Sequence, residues 1–129
     1  MGIPFVDHLG VKLAEWGNGG SLLLMELRPE HRNSQGVAHG GVVMTLLDVA
    51  MARAATSQPG APSTTVVTVE MSTRFVRPAR GALVAEGIVL HAGGTLCTCE
   101  ASLRDADGNL VATAMGTFKY WRGPAGGVE

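Results

Sequence analysis

Gly40-Gly-Val-Val-Met-Thr-Leu-Leu-Asp48-Val-Ala-Met-Ala-Arg53-Ala-Ala-Thr-Ser-Gln58 contains no proline, and Pro59 and Pro62 close it. Ala, Leu and Met favour the helix, and proline with its restricted predecessor ends it. Apolar residues surround the axis of this helix, from Val42 and Val43 to Ala54 and Ala55, so it is expected to be buried on every side. Upstream, Val11–Trp16 and Ser21–Leu27 read as a hairpin turned by Gly17, Gly19 and Gly20, and the polar stretch Arg28–Gly36 with Pro29 reads as a loop. Downstream, Thr65–Val76, Ala82–His91, Leu96–Arg104 and Leu110–Trp121 read as strands, with turns at Ala92–Gly94 and Asp105–Asn109. The fold class predicted is α+β. One long central helix is wrapped by a curved antiparallel sheet of about six strands, whose outer face or edge meets a second subunit.

The 129 residues fit one domain, predicted over residues 1–121, and the Gly-rich stretch 122–129 is expected to be a disordered tail. Charged residues make up 16%, against roughly 25% in an average globular protein, which suggests that a second copy covers part of the surface. A net charge of −1 lacks the basic footprint of a nucleic-acid binder. No apolar run reaches the length of a membrane span, and Pro4, Asp7 and His8 argue against a signal peptide at the start of this sequence. Cys97 and Cys99, alternate residues on one strand face, are poorly placed for a disulfide and read as core packing. A cytoplasmic location is therefore expected. Neither cysteine completes a zinc site, so no metal is predicted.

The motifs of P-loops, dinucleotide folds and serine-hydrolase elbows are absent. What remains is a polar constellation on and before the helix: Asn33, Gly36, His39, Gly40, Gly41 and Asp48. Asp48 has Met44, Thr45, Met51 and Ala52 as its helical neighbours, while Arg53, five positions on, is expected to point elsewhere. A carboxylate on such a face reads either as a functional acid with a perturbed pKa or as a group that meets a water or caps a loop. Gly40 and Gly41 open the helix with no Ser, Thr or Asp cap, leaving the first amides free for an anion or a developing oxyanion. Equally, the pair could simply turn the chain. Eight residues separate Gly40 from Asp48, about 12 Å along one helix. If both act on one substrate they must come from different subunits, as two antiparallel helices about a two-fold would arrange. His8, His31 and His91 have no context that assigns them a role.

Asn33-Ser-Gln-Gly36-Val-Ala-His39-Gly40-Gly41, followed by Leu46-Leu47-Asp48-Val49-Ala50, resembles the hotdog-fold acyl-CoA thioesterases of the PaaI-like group. Val69-Glu70-Met71 through Phe75-Val76-Arg77-Pro78-Ala79 is similar to that group's third strand and its exit. The resemblance runs from about Leu9 to Tyr120. It implies hydrolysis of an acyl-CoA by a homodimer, often paired again into a tetramer, with coenzyme A entering as part of the substrate and no separate cofactor. The Gly40 N–H would polarise the thioester carbonyl, and Asp48 of the opposite subunit would activate water or attack the carbonyl itself. Asn33 and His39 would position the thioester, and Gly41 would line the substrate. Thr68 falls where some relatives carry a serine that assists the nucleophile, and Arg74, Arg77 and Arg80 fall near where relatives hold the CoA phosphates. A non-catalytic acyl-CoA sensor and a hotdog hydratase or dehydratase are the alternatives.

Overall fold

The computed structural model describes residues 1–122. A five-residue helix α1 (Pro4–His8) precedes the hairpin β1 (Lys12–Gly17) and β2 (Gly20–Glu26). The long helix α2 (Gly40–Ser57) is followed by β3 (Val66–Phe75), β4 (Ala82–Ala92), β5 (Leu96–Asp105) and β6 (Leu110–Tyr120). All six strands join one antiparallel sheet in the order β1-β2-β4-β5-β6-β3, curved around α2. This is the hotdog arrangement that the resemblance implied. The disordered tail expected over 122–129 lies, from residue 123 on, outside the described residues.

The core forms between the inner sheet face and one side of α2. Leu46, Leu47, Ala50, Met51, Ala54 and Ala55 pack with Leu23, Leu83, Leu103, Cys97, Cys99 and Phe118, all essentially inaccessible. The two thiols are free, 3.7 Å apart and buried, as the alternation of β5 predicts. Contact is closest at Gly87 on β4, where an added Cβ would stand 2.2 Å from the Ala50 carbonyl oxygen, so only glycine lets the helix backbone lie on that strand. Ser21 Oγ donates to that same carbonyl at 2.6 Å, and Tyr120 Oη donates to the Ala55 carbonyl at 2.9 Å.

Burial on every side of α2 does not hold within one chain. The sheet wraps only one side, and Gly41, Met44, Thr45, Asp48 and Ala52 form a stripe that it does not cover. These residues recur at helical spacing, and Met44 is 39% exposed. The stripe runs alongside β3, an edge strand bonded to β6 alone among the described strands.

A bulge in β3 determines which side chains reach the helix. Thr68 pairs with the core residue Phe118, but beyond the irregularity between Thr68 and Glu70 it is Met71, Thr73 and Phe75 that pair with Gly116, Ala114 and Ala112 on the inner-facing register. Ser72 and Arg74, opposite Met115 and Thr113, face outward. One extra residue, Val69, thus reverses the alternation of the strand.

Candidate active site

The polar residues singled out from sequence divide between two clefts along the open side of α2. The first lies at the helix start and is lined by Asn33, Ala38, Gly40, Val43, Phe75 and Arg77, among others. The loop feeding it is held by its own side chains. Asn33 Oδ1 accepts from the Gln35 and Val37 amides at 2.9 and 3.3 Å, and the Asn33 and Val37 main chains pair back on each other. His31, given no role from sequence, is fully buried here. Its Nδ1 accepts from the Arg28 amide at 2.9 Å and its carbonyl accepts from the His39 amide at 2.8 Å. Burial and the neighbouring Arg28 guanidinium hold the His31 pKa below its ordinary value.

The helix start is capped, contrary to the sequence reading. His39 occupies the N-cap position, and its Nδ1 accepts from the Gly41 amide at 2.9 Å. The Val42 and Val43 amides both reach the His39 carbonyl. A Cβ on Gly41 would lie 3.0 Å from His39 Nδ1, so that glycine makes room for the imidazole, and its amide is already occupied. Imidazole is a rarer cap than a hydroxyl or carboxylate, which is why a search for Ser, Thr or Asp missed it. Among the described residues, Gly40 is left as the first-turn residue whose N–H bonds to nothing. It borders the Phe75 ring, where an added Cβ would find only ordinary contact at 3.7 Å.

The second cleft lies midway along the helix. Thr45, Asp48, Ala52 and Arg53 form its floor, Thr65 and Thr68 one wall, and Ile3, Phe5 and Val6 of the N-terminal segment another. Thr68 Oγ1 donates to Asp48 Oδ1 at 2.6 Å. Burial raises the Asp48 pKa above its ordinary value, and the Thr68 hydroxyl, which favours the ionised form, opposes that rise in part. The result is a carboxylate with strengthened basicity, one oxygen anchored and the other without a hydrogen bond among the described residues.

Arg53 was expected to point elsewhere, yet it lines this cleft. Its long side chain spans an angular offset that spacing alone treats as a different face. The three arginines of β3 and the connection after it do not cluster. Arg77 lies in the Gly40 cleft, Arg74 is turned by the bulge onto the outer sheet face beside Glu86 and Glu100, and Arg80 is exposed outside both clefts. Within one chain, then, Asp48 and Thr68 come together, Asn33, His39 and Gly40 come together, and the two groups stay apart. Among the described residues, no three His, Cys, Asp or Glu side chains gather as a metal site, and no helix is long and apolar enough to cross a membrane.

The fold and sequence have known relatives. The family model of the thioesterase superfamily matches residues 35–112, a span that includes Gly40, Asp48 and Thr68. The chain is similar to a candidate esterase of Halobacterium salinarum, 32% identical over 127 residues, covering 91% of this chain and 84% of that one. Among solved structures it is similar to a conserved protein of Pseudomonas aeruginosa, at 31% identity and a TM-score of 0.86, over 92% of this chain and 94% of that one. It is also similar to a mutant form of the phenylacetic acid degradation protein PaaI of Thermus thermophilus, at 26% identity and a TM-score of 0.83, over 92% and 100% of the two chains.

Proposed function

The chain belongs to the thioesterase superfamily, as a PaaI-like hotdog protein, and from that premise we propose that it hydrolyses acyl-CoA thioesters at a site shared between two subunits. The observation that carries the reading is the division of the site. The free Gly40 amide and the Asp48 carboxylate lie eight residues apart on one helix, about 12 Å, so a single reacting carbon cannot lie near both in one chain. Two antiparallel copies of α2 related by a two-fold near Met44, midway between them, would bring each Gly40 beside Asp48 of the partner subunit. Three features support that association. Met44 is exposed; β3 presents an unpaired edge; and Val69, Phe75 and Val76 on that strand and its exit are more than half exposed.

In the proposed reaction Asp48 removes a proton from water as the water attacks the thioester carbonyl. The tetrahedral oxyanion forms against the Gly40 amide of the other subunit, where the positive end of the helix dipole adds to the hydrogen bond. Collapse breaks the carbon–sulfur bond, and the departing CoA thiolate takes the proton from Asp48, leaving free acid and CoA. The Thr68 hydroxyl holds one carboxylate oxygen and so orients the other toward water. His39 acts by holding the first turn in place, and Asn33 by shaping the loop before it. Arg77, in the segment after β3 and lining the Gly40 cleft, is the arginine of the three best placed to meet a CoA phosphate.

Burial that raises the Asp48 pKa strengthens the carboxylate as base and as nucleophile alike. A single turnover in ¹⁸O-water with an anhydride trap distinguishes the two: label in Asp48 or an acyl group trapped by hydroxylamine marks the nucleophilic route, and label in the first acid released with nothing trapped marks the base route. The activity itself is read by free-thiol release across aryl, short, medium and long acyl-CoAs. Turnover that is lost in Asp48→Asn supports the reading. Tight acyl-CoA binding with no thiol release would replace the enzyme with a sensor.

A further inference from the structure

We propose that Arg53 recognises a negatively charged end on the acyl group, which makes this protein selective for acyl-CoA thioesters that terminate in a carboxylate. The inference rests on the reading of the Asp48 cleft as the acyl site. Arg53 is half-buried, and its Nε is fully buried with no hydrogen-bond partner. Among the described residues it forms no ion pair, and the cleft it lines contains one carboxylate, Asp48, which is bonded instead to Thr68.

The buried Nε leaves one N–H of the guanidinium without a bond, and the group that would satisfy it best is a carboxylate received on two parallel donors, Nε and one terminal nitrogen. Asp48 and Arg53 line the same cleft, which bounds the chain between them to a short one. Arg53 lies five residues beyond Asp48, about 7.5 Å along the axis, which a short methylene chain spans from the thioester carbon to a terminal carboxylate. Opposite the threonine wall, Ile3, Val6 and Ala52 are available to pack the methylenes. An aliphatic acyl group of equal length ending in methyl would fill the same walls and leave the guanidinium unpaired.

The test compares adipyl-CoA with hexanoyl-CoA, which share a six-carbon backbone and differ at the far end. The expected result is a kcat/KM ratio of about ten to a hundred in favour of adipyl-CoA, falling to about one in Arg53→Met and partly kept in Arg53→Lys. A wild-type ratio near one, or a ratio that survives Arg53→Met, overturns the proposal. A loss in Arg53→Met that is equal for both thioesters overturns it as well, because it places the guanidinium on a CoA phosphate common to the two. Calorimetric binding of the same pair to Asp48→Asn separates this inference from the catalytic one. If no thioester is hydrolysed by the wild type the catalytic reading fails, and the adipyl-to-hexanoyl affinity ratio still decides the role of Arg53.

Discussion

The two clefts along α2 are built in opposite ways. At the helix start nearly every polar group is satisfied locally: His39 caps Gly41, the His39 carbonyl takes two further amides, Asn33 holds its own loop, and one N–H of Gly40 is left over. At mid-helix the Asp48 carboxylate has, among the described residues, one partner, Thr68, reached from a strand twenty residues on, and the buried Arg53 Nε has none. The first cleft offers a backbone donor, and the second is a set of partly exposed side chains with bonding capacity to spare. Preorganised donors and unsatisfied acids are complementary requirements of acyl transfer, and this chain supplies them at two separate places.

Substitutions should separate the two regions, beginning with the strongest. Asp48→Asn is expected to lower kcat by about a thousandfold or more, because it removes the proton acceptor from the mid-helix cleft. The same change should leave Tm level or raise it at neutral pH. A carboxyl whose folded pKa is raised contributes stability below its unfolded pKa and loses that contribution as pH rises through the folded value, so above that range the neutral amide is the easier group to bury. A fall of several degrees in thermal melting would make Asp48 structural instead.

Gly40→Pro tests the other cleft. The first helical position tolerates proline, the extended His39 backbone (φ −59°, ψ 140°) suits the residue before it, and the change deletes the one free N–H. A loss of about a hundredfold or more in kcat with melting unchanged is expected, and near-native turnover would remove Gly40 from the mechanism.

Thr68→Val should cost about tenfold and move the acid limb of the kcat/KM profile to higher pH. The hydroxyl bond stabilises the ionised carboxylate, so deleting it raises the Asp48 pKa further. A limb that stays put or moves to lower pH contradicts the pairing. His39→Ala is the mildest change, expected to remove about 1 kcal/mol of stability with a small effect on kcat. A kcat loss as large as that of Asp48→Asn would show that the imidazole does chemistry rather than capping.

The difference between the clefts also explains what the sequence made legible. Helix and strands were readable because their patterns are local: α2 from its composition and closing prolines, β5 from strict alternation of Cys97, Cys99, Ala101 and Leu103. Asp48 stood out because an acid on an apolar helical face is unusual. Its pairing with Thr68 came from family resemblance alone, since no periodicity links a helix to a strand twenty residues later. The bulge at Val69 left no sequence signal, so the outward turn of Arg74 was invisible. Arg53 was assigned to another face because helical spacing locates a Cα and not the end of a long side chain. The helix α1, whose Phe5 and Val6 wall the mid-helix cleft, is too short to leave a pattern.

The shared site is tested most directly by subunit complementation. Gly40→Pro and Asp48→Asn chains, each inactive alone, are co-expressed with different tags, and the mixed dimer is isolated. In a shared site one of its two centres combines the intact Gly40 of one chain with the intact Asp48 of the other, so thiol release should return to about half the wild-type rate per dimer. A mixed dimer that forms and stays as inactive as its parents would contradict the account, because each centre would then lie within a single chain.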